Sequence, residues 1–126
     1  MMATIARYHR GSSPLGQRGR RASGEHEDFR LLDRRQQESV IGLAAILRIA
    51  DGLDRSYSQK VSGLLLETTG KRITLYVRSE DNCTLETWAA SRKAKWFEKA
   101  FRVSIRFKHI GTREPVPEQI ASAPMV

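Results

Sequence analysis

LAAILRIADGLDRS, residues 43–56 of the 126-residue chain, is a nearly all-apolar stretch broken by a few charges, and it decides the fold that we predict. Its apolar residues recur at three- and four-residue intervals and cover most of a helix circumference; they are Leu43, Ile46, Leu47, Ile49, Ala50 and Leu53. That pattern is typical of a helix buried inside a bundle. We expect the helix to begin after an N-cap at Asp33 and to run to about Tyr57. Gly52, near its end, indicates a weak spot or a close approach by another backbone.

Three charged residues share one stripe of this helix. Arg48, Asp51 and Arg55 stand at positions i, i+3 and i+7, which places the carboxylate between two guanidinium groups. A buried carboxylate without a partner is costly, so Asp51 is expected either to pair within the stripe or to face a polar surface. Two interpretations stay open, a structural ion pair and a part of an anion-binding site.

The second half of the chain alternates between apolar and polar residues. Val61–Thr68 and Arg72–Arg78 are two such runs joined by Thr69, Gly70 and Lys71, which predicts a β-hairpin. In the second run Ile73, Leu75 and Val77 are expected to face a core, and Thr74, Tyr76 and Arg78 to face water.

An amphipathic helix of about Thr84–Phe101 follows and should cover the hairpin. Its predicted apolar contacts are Leu85, Trp88, Ala89, Trp96, Phe97 and Ala100, and Arg92, Lys93, Lys95 and Lys99 form a basic stripe on the other side. Arg102–His109 alternates again and predicts a third strand. The chain is therefore predicted to be α+β in three parts: a helical region 1–58, a small β-β-α-β domain 59–110, and a disordered tail 111–126.

The net charge of +8, from 22 Lys and Arg against 14 Asp and Glu, favours an anionic ligand. A merely solvated basic surface is the alternative. The chain has no apolar run long enough to span a membrane, its first ten residues lack the apolar block of a signal peptide, and its one cysteine, Cys83, cannot form an internal disulfide. These features predict a cytoplasmic protein.

Motifs that would assign an enzyme reaction are missing. The chain has no glycine-rich nucleotide loop, no Cys/His metal quartet and no Ser/His/Asp or Cys/His set at catalytic spacing, so no cofactor is expected in it. If residues 1–10 form a helix against the long helix, His9 could meet Asp51 near Arg48. That grouping could hold a phosphate or a divalent ion.

Three stretches of the chain resemble one known family. IARYHRGSSP at Ile5–Pro14, the quoted stretch at 43–56 and LETWAASRKAKWFEKAF at Leu85–Phe101 resemble the C-terminal region of the exopolyphosphatase and guanosine pentaphosphate phosphatase (Ppx/GppA) family. The resemblance covers about Ile5 to Ile110. In that family an actin-like ATPase half carries the catalytic groups, and an HD-like helical domain and a small α+β domain help to line a basic channel for polyphosphate.

The resemblance implies that residues 1–58 are part of an HD-like helical domain and that this chain lacks the catalytic half. It is then a non-catalytic portion, inactive alone, whose partners are polyphosphate or another phosphate anion and either a second copy or a catalytic-domain partner. Magnesium is implied only for a full-length relative. Metal-dependent hydrolysis by this chain is not expected, because the family's adjacent His-Asp pair has no counterpart here. The residues expected to contact the anion are Arg7, His9, Arg10, Arg48, Asp51, Arg55, Arg92, Lys93, Lys95 and Lys99.

Two functions from other classes stay open. The hairpin with Tyr76 and the basic stripes would suit a nucleic-acid-binding module, although no aromatic RNA-binding pattern or recognition helix is evident. A structural docking module is favoured if an apolar surface is left open.

Overall fold

A computed structural model of the chain describes residue 5 and residues 27–118, and predictions for the other residues lie outside this described part. It shows a mixed α/β fold of two long helices, one short helix and a three-stranded sheet. The elements in chain order are α1 (Glu27–Arg30), α2 (Arg34–Leu53), β1 (Gly63–Thr69), β2 (Arg72–Arg78), α3 (Thr84–Phe101) and β3 (Ser104–Ile110). The predicted order β-β-α-β is confirmed, and the HD-like character of the helical part stays a prediction.

Helix α2 begins where its cap residue predicts. The Asp33 side chain accepts a hydrogen bond from the Gln36 amide at 2.8 Å, and the Gln36 side chain accepts one from the Asp33 amide at 3.1 Å. The helix ends at Leu53 rather than at about Tyr57. The backbone leaves the helix at the C-cap Asp54, and Tyr57 has a left-handed φ of 55°, which a continuing right-handed helix cannot hold.

The sheet joins an antiparallel hairpin to a parallel strand. β1 pairs antiparallel with β2, and Gly70, with φ 59°, begins the two-residue turn between them. β3 pairs parallel with β2, so that Leu75 lies opposite Phe107. A parallel pair needs a long crossover, and α3 supplies it.

Two apolar clusters hold the helices to each other and to the sheet. The first joins both helices to the sheet and contains Ile49, Leu53, Leu75, Val77, Cys83, Ala90 and Ala94. The second contains Ile5, Val40, Ala44, Ala45 and Trp96. Helix α3 thus covers the sheet as predicted, and α2 packs against α3 through both clusters.

Only one side of α2 is buried, so the prediction that the helix is enclosed on nearly every side is wrong. Leu43, Ile46 and Leu47 are 41–48% exposed, because α3 covers only the opposite side. That opposite side has small residues. A Cβ added at Gly52 would lie 2.6 Å from the Ala90 Cα, so the glycine permits the close backbone approach that was one of its two interpretations.

Three aromatic or aliphatic side chains also differ from prediction. Leu85 and Trp88 are 51% and 55% exposed, because the core side of α3 is formed by its alanines with Trp96 and Phe97. Tyr76, expected to face water, is only 8% exposed. Its hydroxyl donates to Glu67 at 2.9 Å and Lys108 lies over its ring, so side chains of neighbouring strands cover it.

The segment predicted to be a tail begins with contacts to the end of β2. Arg78 donates to the Glu114 carbonyl at 3.3 Å, and Thr112 donates to the Glu80 carboxylate at 3.3 Å. Residues 119–126 lie outside the described part. Among the described helices, none is long and apolar enough to cross a membrane.

Candidate anion-binding site

The central charged contact of the candidate site is an ion pair between the two long helices. Lys93 of α3 donates to the Asp51 carboxylate of α2, and the two side chains are 26% and 13% exposed. Asp51 therefore pairs with a residue 42 positions away rather than only within the stripe on its own helix. The negative charge of Asp51 is largely compensated, which matters for any anion that approaches this side of α2.

Arg48 lies one turn before Asp51 and is held against an aromatic ring. Its guanidinium carbon is 4.9 Å from the centroid of the Trp96 ring, within the range of a cation–π contact. Burial lowers the pKa of Arg48, and the charge of Asp51 partly opposes that effect. An arginine stays protonated under such a shift, so the ring fixes a permanent positive charge at the α2–α3 boundary.

Three exposed cations continue this positive surface along α3. Arg92, Lys95 and Lys99 are exposed and stand at i, i+3 and i+7, on one face of the helix. Trp96 follows Arg92 by four residues and precedes Lys99 by three, so Arg48 on the Trp96 ring lies alongside this face. We call Arg48, Arg92, Lys95 and Lys99 the basic seam.

Of the remaining predicted site residues, the two lysine or arginine residues that the structure describes are not part of the basic seam. Arg55 is exposed beyond the C-terminal end of α2, where the helical stripe no longer continues. Lys93, predicted as part of the exposed stripe, faces Asp51 instead. Arg7, His9 and Arg10 lie outside the described residues. Within residues 27–118 and at residue 5, no group of three or more His, Cys, Asp or Glu side chains could hold a metal ion.

A second basic patch was missed in the sequence. Arg72, Arg106 and Lys108 are exposed on the face of the sheet opposite α3, where Thr74 lies beside Arg106 and Tyr76 beside Lys108. The alternation of β3 indicates this patch, because it places Arg106 and Lys108 on one side of the strand, but above it served only to predict the strand. The hydrogen bond to Glu67 and, to a smaller extent, burial raise the pKa of Tyr76. The phenol beside this patch therefore stays a neutral hydrogen-bond donor.

Glu86 is a buried carboxylate at the start of α3. It is 1% exposed in the first turn of α3, where the helix N-terminus favours a negative charge. The nearby Ser56 hydroxyl lowers the pKa of Glu86 and outweighs burial, which would raise it. Neither carboxylate oxygen forms a hydrogen bond of standard geometry. Glu86 takes no part in the basic seam.

Comparison of the chain with protein-family models, curated proteins and solved structures gives no match. The resemblance to the Ppx/GppA family therefore stays a prediction.

Proposed function

We propose that this chain is a C-terminal, non-catalytic portion of a Ppx/GppA-like phosphatase and that it binds polyphosphate or another phosphate anion. The observation that carries the anion-binding part is the position of Arg48, which Trp96 holds beside the exposed cations of α3. The family assignment rests on the three similar stretches of sequence.

The shape of the basic seam favours an extended polyanion over a single phosphate group. Arg92 and Lys99 are seven residues apart, which is about 10 Å along a helix at 1.5 Å per residue. A chain of phosphates can contact cations along this whole length, whereas one phosphate can reach only one or two. Arg48 adds a planar group that can bind two phosphate oxygens at once.

The Asp51–Lys93 pair supports the same function. An uncompensated carboxylate beside Arg48 would repel an approaching phosphate. Lys93 compensates that charge while its own side chain is mostly buried. The pair thus reduces the negative charge beside the basic seam.

The test compares two double variants that each remove two positive charges. Lys95→Gln/Lys99→Gln changes the seam, and Lys71→Gln/Arg113→Gln changes exposed residues at the hairpin turn and after β3. Fluorescence anisotropy with labelled polyphosphate should show at least fivefold weaker binding for the seam variant and less than twofold for the control. Equal weakening in both would mean that only net charge matters, and would contradict the site.

Two further measurements test the rest of the proposal. The chain alone should release no phosphate from polyphosphate, and robust turnover would show that it is catalytic. Polyphosphate should also compete better than single-stranded RNA of matched charge. If RNA displaces polyphosphate, the nucleic-acid-binding alternative is favoured instead.

A second candidate function, self-association, is favoured by an open apolar face. Leu43, Ile46 and Leu47 of α2 and Leu64 and Leu66 of β1 are 41–55% exposed, and Leu64 borders an open pocket of about 480 Å³ that also contacts the end of α2. We propose that a second copy covers this face.

The charge distribution supports that occupant. β1 and the exposed apolar stripe of α2 contain no Lys or Arg, so repulsion between two chains of net charge +8 is weakest here. Light scattering after size exclusion should show a concentration-dependent dimer that Leu47→Glu/Leu66→Glu abolishes. A strict monomer at every concentration would contradict this second function.

A further inference from the structure

A groove that the basic seam does not use runs between α3 and the edge strand β3. It has a volume of about 420 Å³ and is lined by Thr87, Trp88 and Ser91 of the helix and by Ile105, Arg106 and Phe107 of the strand. The Thr87 hydroxyl already donates to the carbonyl of the N-cap residue Cys83 at 3.0 Å, and the Ser91 hydroxyl donates to the Trp88 carbonyl at 2.8 Å. The helix wall therefore needs no polar ligand.

The outer edge of β3 offers backbone hydrogen bonds. The Ser104 amide donates to Lys71 and the Ile110 carbonyl accepts from Ser79, so the even-numbered residues of β3 face β2. Alternation then directs the N–H groups of the odd-numbered residues outward. Ile105 shows this, since its amide donates to the Glu98 side chain at 3.2 Å. The amides of Phe107 and His109 point the same way along the edge.

Trp88 marks the groove as a contact surface. Its side chain is 55% exposed, and the guanidinium of Arg92 lies 5.2 Å from its ring centroid. Exposing so large an apolar ring to water is unfavourable, and tryptophan and arginine are both enriched at the energetic centres of interfaces.

The two faces of β3 define the sequence pattern of the ligand. Ile105 and Phe107 face the helix side, where they pack on the core, and Arg106 and Lys108 are exposed on the other side. A strand added at this edge would place alternate side chains on the same two sides. Apolar residues would enter the groove beside Trp88, and acidic residues would meet Arg106 and Lys108.

We propose that the groove between α3 and β3 binds an extended acidic peptide as a fourth strand. Backbone hydrogen bonds to β3 supply affinity, as in other cases of strand addition, and the alternation of apolar and acidic side chains supplies specificity. This site meets the basic seam only at Arg92, whose guanidinium lies over Trp88, and the strand β3 with Arg106 lies outside the seam.

The test uses a fluorescein-labelled peptide, Glu-Val-Glu-Val-Glu-Val, and three matched peptides. The first has lysine in place of glutamate, the second has the same composition with the three glutamates grouped, and the third is N-methylated at every second residue. Fluorescence polarisation should show saturable binding of the first probe and at least tenfold weaker binding of all three matched peptides. Equal binding of the N-methylated peptide would exclude strand addition, and equal binding of the lysine peptide would exclude charge recognition.

Variants of the protein locate the site. Trp88→Ala and Arg106→Glu should each weaken the acidic peptide at least tenfold, whereas Lys99→Gln should change it less than twofold. Both groove residues are exposed, and circular dichroism checks that their variants keep the wild-type fold. Lys95→Gln/Lys99→Gln, which is expected to weaken polyphosphate binding, should likewise leave the affinity for the acidic peptide within twofold, so failure of the peptide site and failure of the anion site give different results. Self-association lost in Trp88→Ala, with no peptide binding to the wild type, would assign the groove to a second copy and overturn the proposal.

Discussion

Replacing Lys93 by methionine tests the Asp51–Lys93 pair in both stability and binding. The variant keeps most of the side-chain volume but leaves the Asp51 carboxylate, 13% exposed, without its lysine partner. Breaking a fully buried ion pair costs about 3–5 kcal/mol. Because the Lys93 side chain is 26% exposed and solvent screens part of the charge, we expect a loss of about 1.5–3 kcal/mol in the free energy of unfolding.

Urea denaturation followed by circular dichroism measures this loss. A loss of about 2 kcal/mol corresponds to a shift of about 1 M in the urea midpoint for a small domain. The double variant Asp51→Asn/Lys93→Met removes both charges of the pair, so it should regain most of the lost stability. A loss below about 0.5 kcal/mol, or a double variant no more stable than Lys93→Met, would refute the reasoning.

The same two variants also test how Lys93 affects the binding of polyphosphate. Lys93→Met should weaken polyphosphate binding about three- to tenfold, because Asp51 then repels phosphate beside Arg48. The double variant should bind within twofold of the wild type, since both charges are removed together. If the double variant binds as weakly as Lys93→Met, then Lys93 contacts the anion directly and its role here is wrong.

Three other predictions address particular positions. Gly52→Ala places a methyl group against the backbone at Ala90 and should lower the free energy of unfolding by about 1–3 kcal/mol in urea denaturation; a loss under 0.5 kcal/mol would contradict the close approach. The pKa of Glu86 is lowered in the folded state, so its contribution to stability is present above the ordinary carboxyl value and is lost as pH falls through the folded one. The stability difference between the wild type and Glu86→Gln should therefore shrink on acidification, and a pH-independent difference would refute this. Arg48→Lys keeps the charge but loses the planar group over Trp96, so polyphosphate should bind several-fold more weakly by anisotropy, and unchanged affinity would show that charge alone suffices.

Local signals predicted the elements of the fold well. Asp33 caps α2 because its side chain bonds an amide three residues away, and Gly70 begins the hairpin turn because it holds a positive φ. The range Thr84–Phe101 is the helix that its periodicity predicted. Each of these signals depends on residues close together in the chain, so the sequence alone contains it.

Properties that depend on distant contacts could not be predicted in this way. The apolar pattern of α2 does not indicate which side of the helix α3 covers. Leu43 and Leu47 are therefore exposed, although leucine is typical of a buried core. Tyr76 is covered by Glu67 and Lys108, which reach it only once the strands are in register.

The same distinction between local and distant contacts applies to the candidate site. Arg92, Lys95 and Lys99 could be placed on one helix face from their spacing, and the structure shows them exposed. The partners of Asp51 and Arg48 come from α3, so spacing within α2 could not identify Lys93 or Trp96. The patch of Arg72, Arg106 and Lys108 is likewise assembled by strand pairing.

The most direct test of the central claim is a titration of the isotope-labelled chain with polyphosphate, followed by amide and arginine side-chain NMR signals. Binding at the basic seam predicts the largest shift changes at residues 92–99 and at the Arg48 side chain over Trp96. Changes centred on Arg72, Arg106 and Lys108, or no saturable changes anywhere, would contradict it.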